Sequence, residues 1–466
     1  MGRLKNELLP KFFMGRLYPL LVGAVVVLGY CFGIELYLNI FSILAVSLAL
    51  AVCSSARPAI LFVISFVFQV SVKNSPGAPN FSNYYFTSWH LYAVFALGAV
   101  LLASAVYFGV KNKIFSGFSL TKTPILLSLL ILSVSFMTNG LFSGKWALSG
   151  FVYGICNAAC LVLVFLFFYG GLRNENAKEL VSYFIYSSAI LVVALITELA
   201  WCYVTNDIAF DLFTWEIDVL EKDKLDFGWG ISNTMGVSLI VLIPALLLGF
   251  YEKVGRFFYV PLAGVVYVAT FATMSRNAIL FGTVTLVLSL AAMLIASRHK
   301  KITIPILAAA IIAAVILVTI NRAEIYEKFS AYFTDNGRFR LWEHGIDNFK
   351  AHPIFGVGFF GFELTTFVTA EFLPTMAHQT FVQILSAMGI FGMAAYAFYR
   401  VCTLLPLFSR PSISKTLLAL SAGAMLFESL LDNFIFYFLP TLHYSIALAI
   451  LFTVHESSKK KTQNKT

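Results

Sequence analysis

The chain has 466 residues, of which 59% are hydrophobic and 12% are charged, and its formal net charge is +9. Soluble globular domains contain about 25% charged residues, so this composition excludes an ordinary soluble protein. The positive charge falls in short clusters between apolar runs, which is typical of membrane topology rather than of a nucleic-acid-binding face. The six cysteines lie in or beside apolar runs without a CxxC pair, and they predict neither a disulfide framework nor a metal site.

Apolar runs of about 16–24 residues recur along the chain, and each is long enough to cross a hydrocarbon core of roughly 30 Å. They are continuous rather than alternating, which favours helices over a β-barrel. We therefore predict an all-α polytopic membrane protein with about 12–14 transmembrane helices. The centres of these runs lie near residues 25, 45, 65, 100, 131, 158, 191, 242, 265, 287, 311, 388, 422 and 444.

The basic residues predict the orientation of these helices. Most of them fall in alternate connecting segments, which places both termini in the cytoplasm by the positive-inside rule. Two long segments then face outward, an acidic loop at 205–232 and a larger loop at 321–378. The predicted organisation is N-terminal transmembrane helices at 1–204, the acidic loop at 205–232, transmembrane helices with the Arg276 turn at 233–320, a large outer catalytic loop at 321–378, C-terminal transmembrane helices at 379–455 and a cytoplasmic basic tail at 456–466.

A short helix is predicted inside the larger loop, from Arg338 to Ala351. The turn signal Asn336-Gly337 precedes it, and His352-Pro353 ends it. One apolar face recurs at helical spacing and suits a helix lying at the membrane interface: Phe339, Trp342, Ile346 and Phe349. The following GVGFFG stretch is not a nucleotide-binding loop, because no strand precedes it and no GK follows. We expect it to let the backbone re-enter the membrane.

Three arginines are candidates for phosphate binding. Arg276 lies at an outer turn between two apolar runs, where an arginine needs an anionic partner or must snorkel to the interface. Arg338 and Arg340 begin the loop helix, and a helix N-terminus and a guanidinium fork both favour phosphate oxygens. The alternatives are a snorkelling anchor for Arg276 and a solvated basic edge for the other two.

His378 opens the next apolar run and is the candidate general base, since neutral histidine accepts a proton near pH 7. It could instead be an interfacial residue that caps the helix. Glu428 and Asp432 are four residues apart on one face of a later run. They are candidates for acceptor binding or for balancing the arginine charge, and a packing role is equally open.

Several short motifs in this region resemble one known family. In chain order they are GWGISN at 228–233, SR at 275–276, GR-x-x-LW at 337–342, HPIFGVG at 352–358, H-x-x-x-x-Q from His378 and MGIFG at 388–392. Their order and sidedness over residues 228–395 resemble the O-antigen ligase and O-antigen polymerase superfamily of bacterial membrane glycosyltransferases. The family often has His-Asn where this chain has His378-Gln379.

The resemblance implies a GT-C-like membrane fold and an inverting glycosyl transfer that needs no cofactor, metal or nucleotide sugar. The implied donor is a glycan on undecaprenyl pyrophosphate at the outer face of the bacterial cytoplasmic membrane, and the implied acceptor is a sugar or lipid-linked glycan. The implied products are lipopolysaccharide O-antigen or capsule. By position, Arg276 matches the SR arginine, Arg338 the arginine of GR-x-x-LW, and His378 the loop histidine and catalytic base.

Three alternatives remain open from the sequence, and one is a membrane protein of the same fold that only binds glycans, if the candidate catalytic residues do not converge. A polymerase and a ligase are not separated, although nothing in the sequence indicates a lipid A-core acceptor. A transporter or flippase of lipid-linked oligosaccharides would also suit many membrane spans. Transporters usually carry ionisable groups near the bilayer midplane and internal repeats, whereas the charged candidates here lie at the predicted outer surface.

Overall fold

The computed structural model describes residues 2–65, 90–116, 123–209, 231–254, 258–296, 337–362, 377–409, 411–433 and 438–463, with isolated positions between these ranges at 118, 222, 224, 225, 227, 301, 304, 305, 308, 312 and 319. Every regular element in these residues is an α-helix, which confirms the predicted fold class. In chain order the helices are α1 (Gly2–Met14), α2 (Leu17–Phe32), α3 (Glu35–Val52), α4 (Ala59–Ile64), α5 (His90–Lys111), α6 (Pro124–Met137), α7 (Leu148–Leu172), α8 (Ala177–Thr205), α9 (Ser232–Ile240), α10 (Leu242–Tyr251), α11 (Tyr259–Ala272), α12 (Arg276–Ala296), α13 (Gly337–Ala351), α14 (Thr380–Phe408), α15 (Ile413–Glu428) and α16 (Phe438–Gln463).

Five helical segments in the described residues are long and apolar enough to cross a membrane: Leu148–Leu172, Ala177–Thr205, Ser232–Tyr251, Arg276–Ala296 and Thr380–Phe408. A sixth results if the bent pair Leu8–Met14 and Leu17–Phe32 is one span. Shorter apolar helices add Ile40–Val52, Phe95–Lys111, Pro124–Met137 and Tyr259–Ala272. Every predicted centre lies within a helix except the two near residues 65 and 311. Those two segments fall largely outside the described residues.

The helices pack around one extended apolar core. Helix α16 lies against α7 and α15, and α6 lies between α7 and α14. Aromatic rings join these helices, for example Phe165 of α7 with Phe452 of α16 at a centroid distance of 5.9 Å. This core runs from the N-terminal helices to α16 and includes residues of α12, α14 and α15. Helix α13 packs through a separate small cluster of Leu341, Phe362 and Ala377.

Helix α14 is broken at Gly389, where φ is 63° and ψ is −159°. The segment 352–361, which contains the GVGFFG stretch, packs into this break. Backbone N–H groups of Val357 and Gly358 donate to the carbonyls of Ser386 and Ala387 at 2.8 and 3.0 Å. In return, the N–H groups of the two residues after the break donate to carbonyls of the segment: Ile390 to Pro353 at 2.8 Å and Phe391 to Ile354 at 3.2 Å. The loop therefore satisfies the backbone groups that the break leaves unpaired.

The loop helix is α13, and its bounds agree with the predicted 338–351. It packs against α14 through Leu341 and Gly345, which are buried. Only part of the predicted apolar face joins this contact: Trp342 packs against the cluster around Leu341, whereas Phe339 is 47% exposed and Ile346 and Phe349 are partly exposed. The helix thus contacts the bundle on one side and presents aromatic side chains on another.

The bundle has two polar ends. At one end, Lys415 near the start of α15 lies 3.1 Å from His455 near the end of α16, and Arg57 forms ion pairs with Glu175 and Glu179 at 3.3 and 3.2 Å. At the other end α9, α12 and α14 begin and α15 ends. We call the second end the site end, because the candidate residues lie there.

Candidate functional site

The segment Ser429–Asn433, which follows α15, is the centre of the site end, and we call it the α15 loop. Its carbonyl groups accept hydrogen bonds from three other parts of the chain. Ser429 accepts from the N–H of Thr380 at 3.0 Å, and Asp432 accepts from the hydroxyl of Thr380 at 3.2 Å. The carbonyl oxygen of Leu431 accepts from Arg338 Nη1 at 3.0 Å and from Asn277 Nδ2 at 3.4 Å. The loop therefore brings together α12, α13 and the start of α14.

His378 pairs with Asp432 of this loop. The Nδ1 atom of His378 lies 3.3 Å from Oδ1 of Asp432. An ionised carboxylate can only accept, so Nδ1 carries the proton and Nε2 of the neutral ring is left as an acceptor. The imidazole is 40% exposed and the carboxylate only 3%, so the histidine can be reached while its partner is enclosed.

Two residues of the site end have a positive φ angle, in the turn before α12 and in the turn before α14. His378 has φ of +51°, and so does Met274, two residues before Arg276. Non-glycine residues in this region cost about 1–3 kcal/mol each and concentrate at functional sites. The strain at His378 sets the direction in which its ring leaves the chain, just before α14 begins.

Gln379, the neighbour of His378, caps α14. Its side-chain Oε1 accepts from the N–H of Val382 at 2.6 Å, which satisfies one of the unpaired donors at the helix start. Asparagine, which the related family often has here, is itself a strongly preferred N-cap residue. The extra methylene of glutamine is thus compatible with the same structural role.

Arg276 is exposed as the first residue of α12, between two residues that are bound to the site. Ser275 donates its hydroxyl to Oδ1 of Asn233 at 2.9 Å, and Asn277 reaches the α15 loop as described above. Gly236 makes this approach of α9 and α12 feasible, because a Cβ there would lie only 2.4 Å from the Cβ of Ala278. The turn around Arg276 is therefore held against the site on both sides.

The other two arginines differ in their surroundings. Arg338 is half-buried, and its Nη1 donates to the carbonyl oxygen of Leu431 in the α15 loop. Leu431 directly precedes Asp432, the residue that pairs with His378. Arg340 is exposed and lies about 200° around α13 from Arg338, since successive helical residues are about 100° apart. The hydrogen bonds of the described residues connect Arg338, but not Arg340, to the α15 loop.

The two acidic candidates, Asp432 and Glu428, also differ in their contacts. Asp432 bonds His378, whereas Glu428, the last residue of α15, is fully buried, and neither of its carboxylate oxygens has a hydrogen-bond partner within the described residues. Asp432, Arg338 and Lys222 are close enough for their charges to act on Glu428. The site end therefore holds two carboxyl groups between at least two cationic side chains. Among the residues that the structure describes, no three His, Cys, Asp or Glu side chains group as metal ligands.

Sequence reasoning missed three residues of this site. Asn233 bonds both Ser275 and Asp432, and Asn277 bonds the α15 loop. Lys222, from the acidic loop, lies 3.4 Å from Oδ1 of Asn233. The GWGISN motif had included Asn233 without a role. Uncharged polar residues at helix starts give little local signal, because they usually serve as caps.

A scan against protein-family models matches residues 261–397 to the family described as O-antigen ligase. This segment contains Arg276, Arg338, Arg340 and His378, but it ends before the α15 loop and begins after Asn233. No curated protein matches the chain. Over residues 261–397, which are less than half of the chain, the sequence is therefore similar to the O-antigen ligase family.

Proposed function

We propose that the protein transfers a glycan from an undecaprenyl-pyrophosphate donor to an acceptor hydroxyl at the outer face of the bacterial cytoplasmic membrane. The observation that carries this proposal is the α15 loop, which binds Arg338 through one residue and His378 through the next. A base and a guanidinium group held by adjacent residues suit a reaction in which a proton is removed while a phosphate ester departs.

His378 is the proposed general base. Its Nε2 takes the proton of the acceptor hydroxyl, and the oxygen forms a bond to the anomeric carbon of the donor sugar. The bond from that carbon to the pyrophosphate oxygen breaks, and its electron pair leaves with the pyrophosphate. A single displacement inverts the anomeric configuration. Asp432 keeps the proton on Nδ1 and stabilises the imidazolium that forms, as the buried carboxylate does in a hydrolase triad.

Arg276 and Arg338 are the proposed phosphate-binding groups. Fixed donors aimed at developing negative charge stabilise a transition state by about 2.7–4 kcal/mol each in acyl-transfer enzymes. Their arrangement here supports such a role, because the turn of Arg276 and the side chain of Arg338 are both bound to the α15 loop. We propose that these guanidinium groups take the place that a metal ion has in many phosphoryl and glycosyl transferases. Arg340 is an accessory candidate from the exposed side of α13.

Glu428 is the proposed charge-balancing residue. It is fully buried, it is close enough to Arg338 and Lys222 for their charges to act on it, and no hydrogen bond among the described residues connects it to His378. Asp432 therefore orients the base, and Glu428 balances the positive charge of the arginines.

The direct test is transfer by the purified protein in detergent or proteoliposomes. The donor is an undecaprenyl-pyrophosphate oligosaccharide from the host, and the readouts are released undecaprenyl pyrophosphate and the length of the product. Lengthening of the glycan identifies a polymerase, and a single transfer to lipid A-core identifies a ligase. Movement of intact donor across a proteoliposome membrane, without release of undecaprenyl pyrophosphate, would contradict the proposal and favour a flippase.

A further inference from the structure

Asn233 connects the two halves of the site through its side-chain amide. The Nδ2 atom donates to Oδ2 of Asp432 at 3.5 Å. Its Oδ1 atom accepts from the hydroxyl of Ser275 at 2.9 Å and lies 3.4 Å from Nζ of Lys222. A flipped amide would place its N–H groups against the ammonium and its oxygen against the carboxylate, so only this orientation is electrostatically acceptable.

The Asp432 carboxylate is held from more than one direction. Its Oδ1 accepts from the N–H of Asn433 at 2.8 Å and bonds His378, and its Oδ2 accepts from Asn233. Loss of the contact at Oδ2 would leave the carboxylate plane free to rotate about the bond that carries it. Because the plane of Asp432 sets the ring of His378, Asn233 acts on the base without touching it.

We propose that Asn233 is a positioning residue that sets the base and the Arg276 turn relative to one another. The chain of hydrogen bonds runs from Ser275, beside Arg276, through Asn233 and Asp432 to His378. Both Asn233 and Asp432 lie outside the segment 261–397 that matches the family model. This inference rests on the proposed function for its kinetic consequence, while the geometry of His378 can be measured without any substrate.

The first variant is Asn233→Leu, in which the new side chain has nearly the same shape and cannot form any of the three hydrogen bonds. We expect kcat to fall about 10–100-fold, the range typical of residues that orient a reactive group from behind. The KM for the lipid-linked donor should stay within about threefold, since the side-chain amide of Asn233 is engaged by Ser275, Asp432 and Lys222 and the proposal gives it no contact with the substrate. Thr234→Val on the same turn of α9 is the matched control and should leave both constants unchanged. An unchanged kcat in Asn233→Leu would overturn the proposal.

Exchanging the two side chains gives a second test. It can be carried out even if Asn233→Leu folds poorly. In the double variant Asn233→Asp and Asp432→Asn, an amide N–H again faces a carboxylate across the same gap. The amide oxygen introduced at position 432 still accepts from His378, so the orientation is restored although the charge has moved. We expect the double variant to exceed Asp432→Asn alone by about fivefold or more, because coupled positions are non-additive. A double variant slower than Asp432→Asn would show independent effects and would refute the coupling.

The ring of His378 provides a readout that does not depend on transfer. In protein with ¹⁵N-labelled histidine, the signals that disappear in His378→Ala report its tautomer. We expect a proton on Nδ1 in the wild type and a mixture of tautomers in Asn233→Leu. If the wild type shows no transfer but this change is seen, the proposed function fails and the positioning role stands. If transfer occurs and the tautomer is the same in both proteins, the positioning role fails alone.

Discussion

Substitution of Gly389 tests how the break in α14 is built. The backbone there has φ of 63° and ψ of −159°, a region that essentially only glycine occupies. A Cβ at this position would lie 2.4 Å from the carbonyl oxygen of Ile354 and 2.6 Å from that of Pro353. Both are backbone atoms of the segment packed into the break, so they cannot rotate away as a side chain could. The variant Gly389→Ala must therefore displace that segment or straighten α14.

We expect Gly389→Ala to lower the free energy of unfolding by about 2–6 kcal/mol. The backbone strain contributes about 1–3 kcal/mol. The two hydrogen bonds across the break, from Ile390 to Pro353 and from Phe391 to Ile354, contribute about 0.5–1.5 kcal/mol each when they are weakened. The change is measured by equilibrium unfolding of the purified protein in detergent, followed by circular dichroism.

Gly423→Ala is the matched control for this experiment. Gly423 lies inside α15, and an added Cβ there has no neighbouring atom within 4 Å. Alanine is the better helix former by roughly 0.5–1 kcal/mol, so this variant should be neutral or slightly more stable. If Gly389→Ala unfolded at the same denaturant concentration as Gly423→Ala, the described packing at the break would be wrong.

Three further predictions concern the site and its support. Arg338→Lys should lower transfer by about 100-fold while the protein folds normally. The reason is that an ammonium group cannot bond the Leu431 carbonyl and also bind a phosphate through two parallel hydrogen bonds, as a planar guanidinium group can. Near-normal turnover would contradict phosphate binding by the Arg338 guanidinium group. Asn139→Leu should lower the free energy of unfolding by about 1–3 kcal/mol, since Asn139 bonds Phe136, Gly150 and Phe359 at 2.7, 3.1 and 3.0 Å. Asn157→Leu, which loses only contacts with Tyr153 inside α7, should lower the free energy of unfolding far less, and equal losses would reject the role given to Asn139. EDTA should leave transfer intact, and a loss that Mg²⁺ restores would reject the role assigned to the arginines.

The helical elements could be predicted because hydropathy and helical periodicity are local signals. The bounds of α13 follow from the turn before Gly337 and the proline after His352, both of which act on the backbone directly. The break at Gly389 could not be predicted, because a single glycine is tolerated inside many helices. Its φ is fixed by the segment 352–361, which lies about 30 residues earlier in the chain.

The candidate site was predicted in its residue types but not in its connections. Glu428 and Asp432 have the same charge and helical spacing, and only the end of α15 between them separates their surroundings. Asp432 lies beyond the helix and meets His378, whereas Glu428 stays enclosed within the bundle. The position of Asn233 depends on the close packing of α9 against α12 at Gly236, which is a tertiary contact without a local sequence signal.

The most direct test of the central claim is the rate at which purified protein releases undecaprenyl pyrophosphate from its donor in the presence of acceptor. Wild type is compared with His378→Ala and with His352→Ala, a histidine at the end of α13 that takes no part in the hydrogen-bonded site described above. We predict that wild type and His352→Ala release the product at similar rates and that a well-folded His378→Ala is slower by at least 100-fold, consistent with loss of a general base. Equal rates in all three proteins would contradict the assignment of His378 as the base.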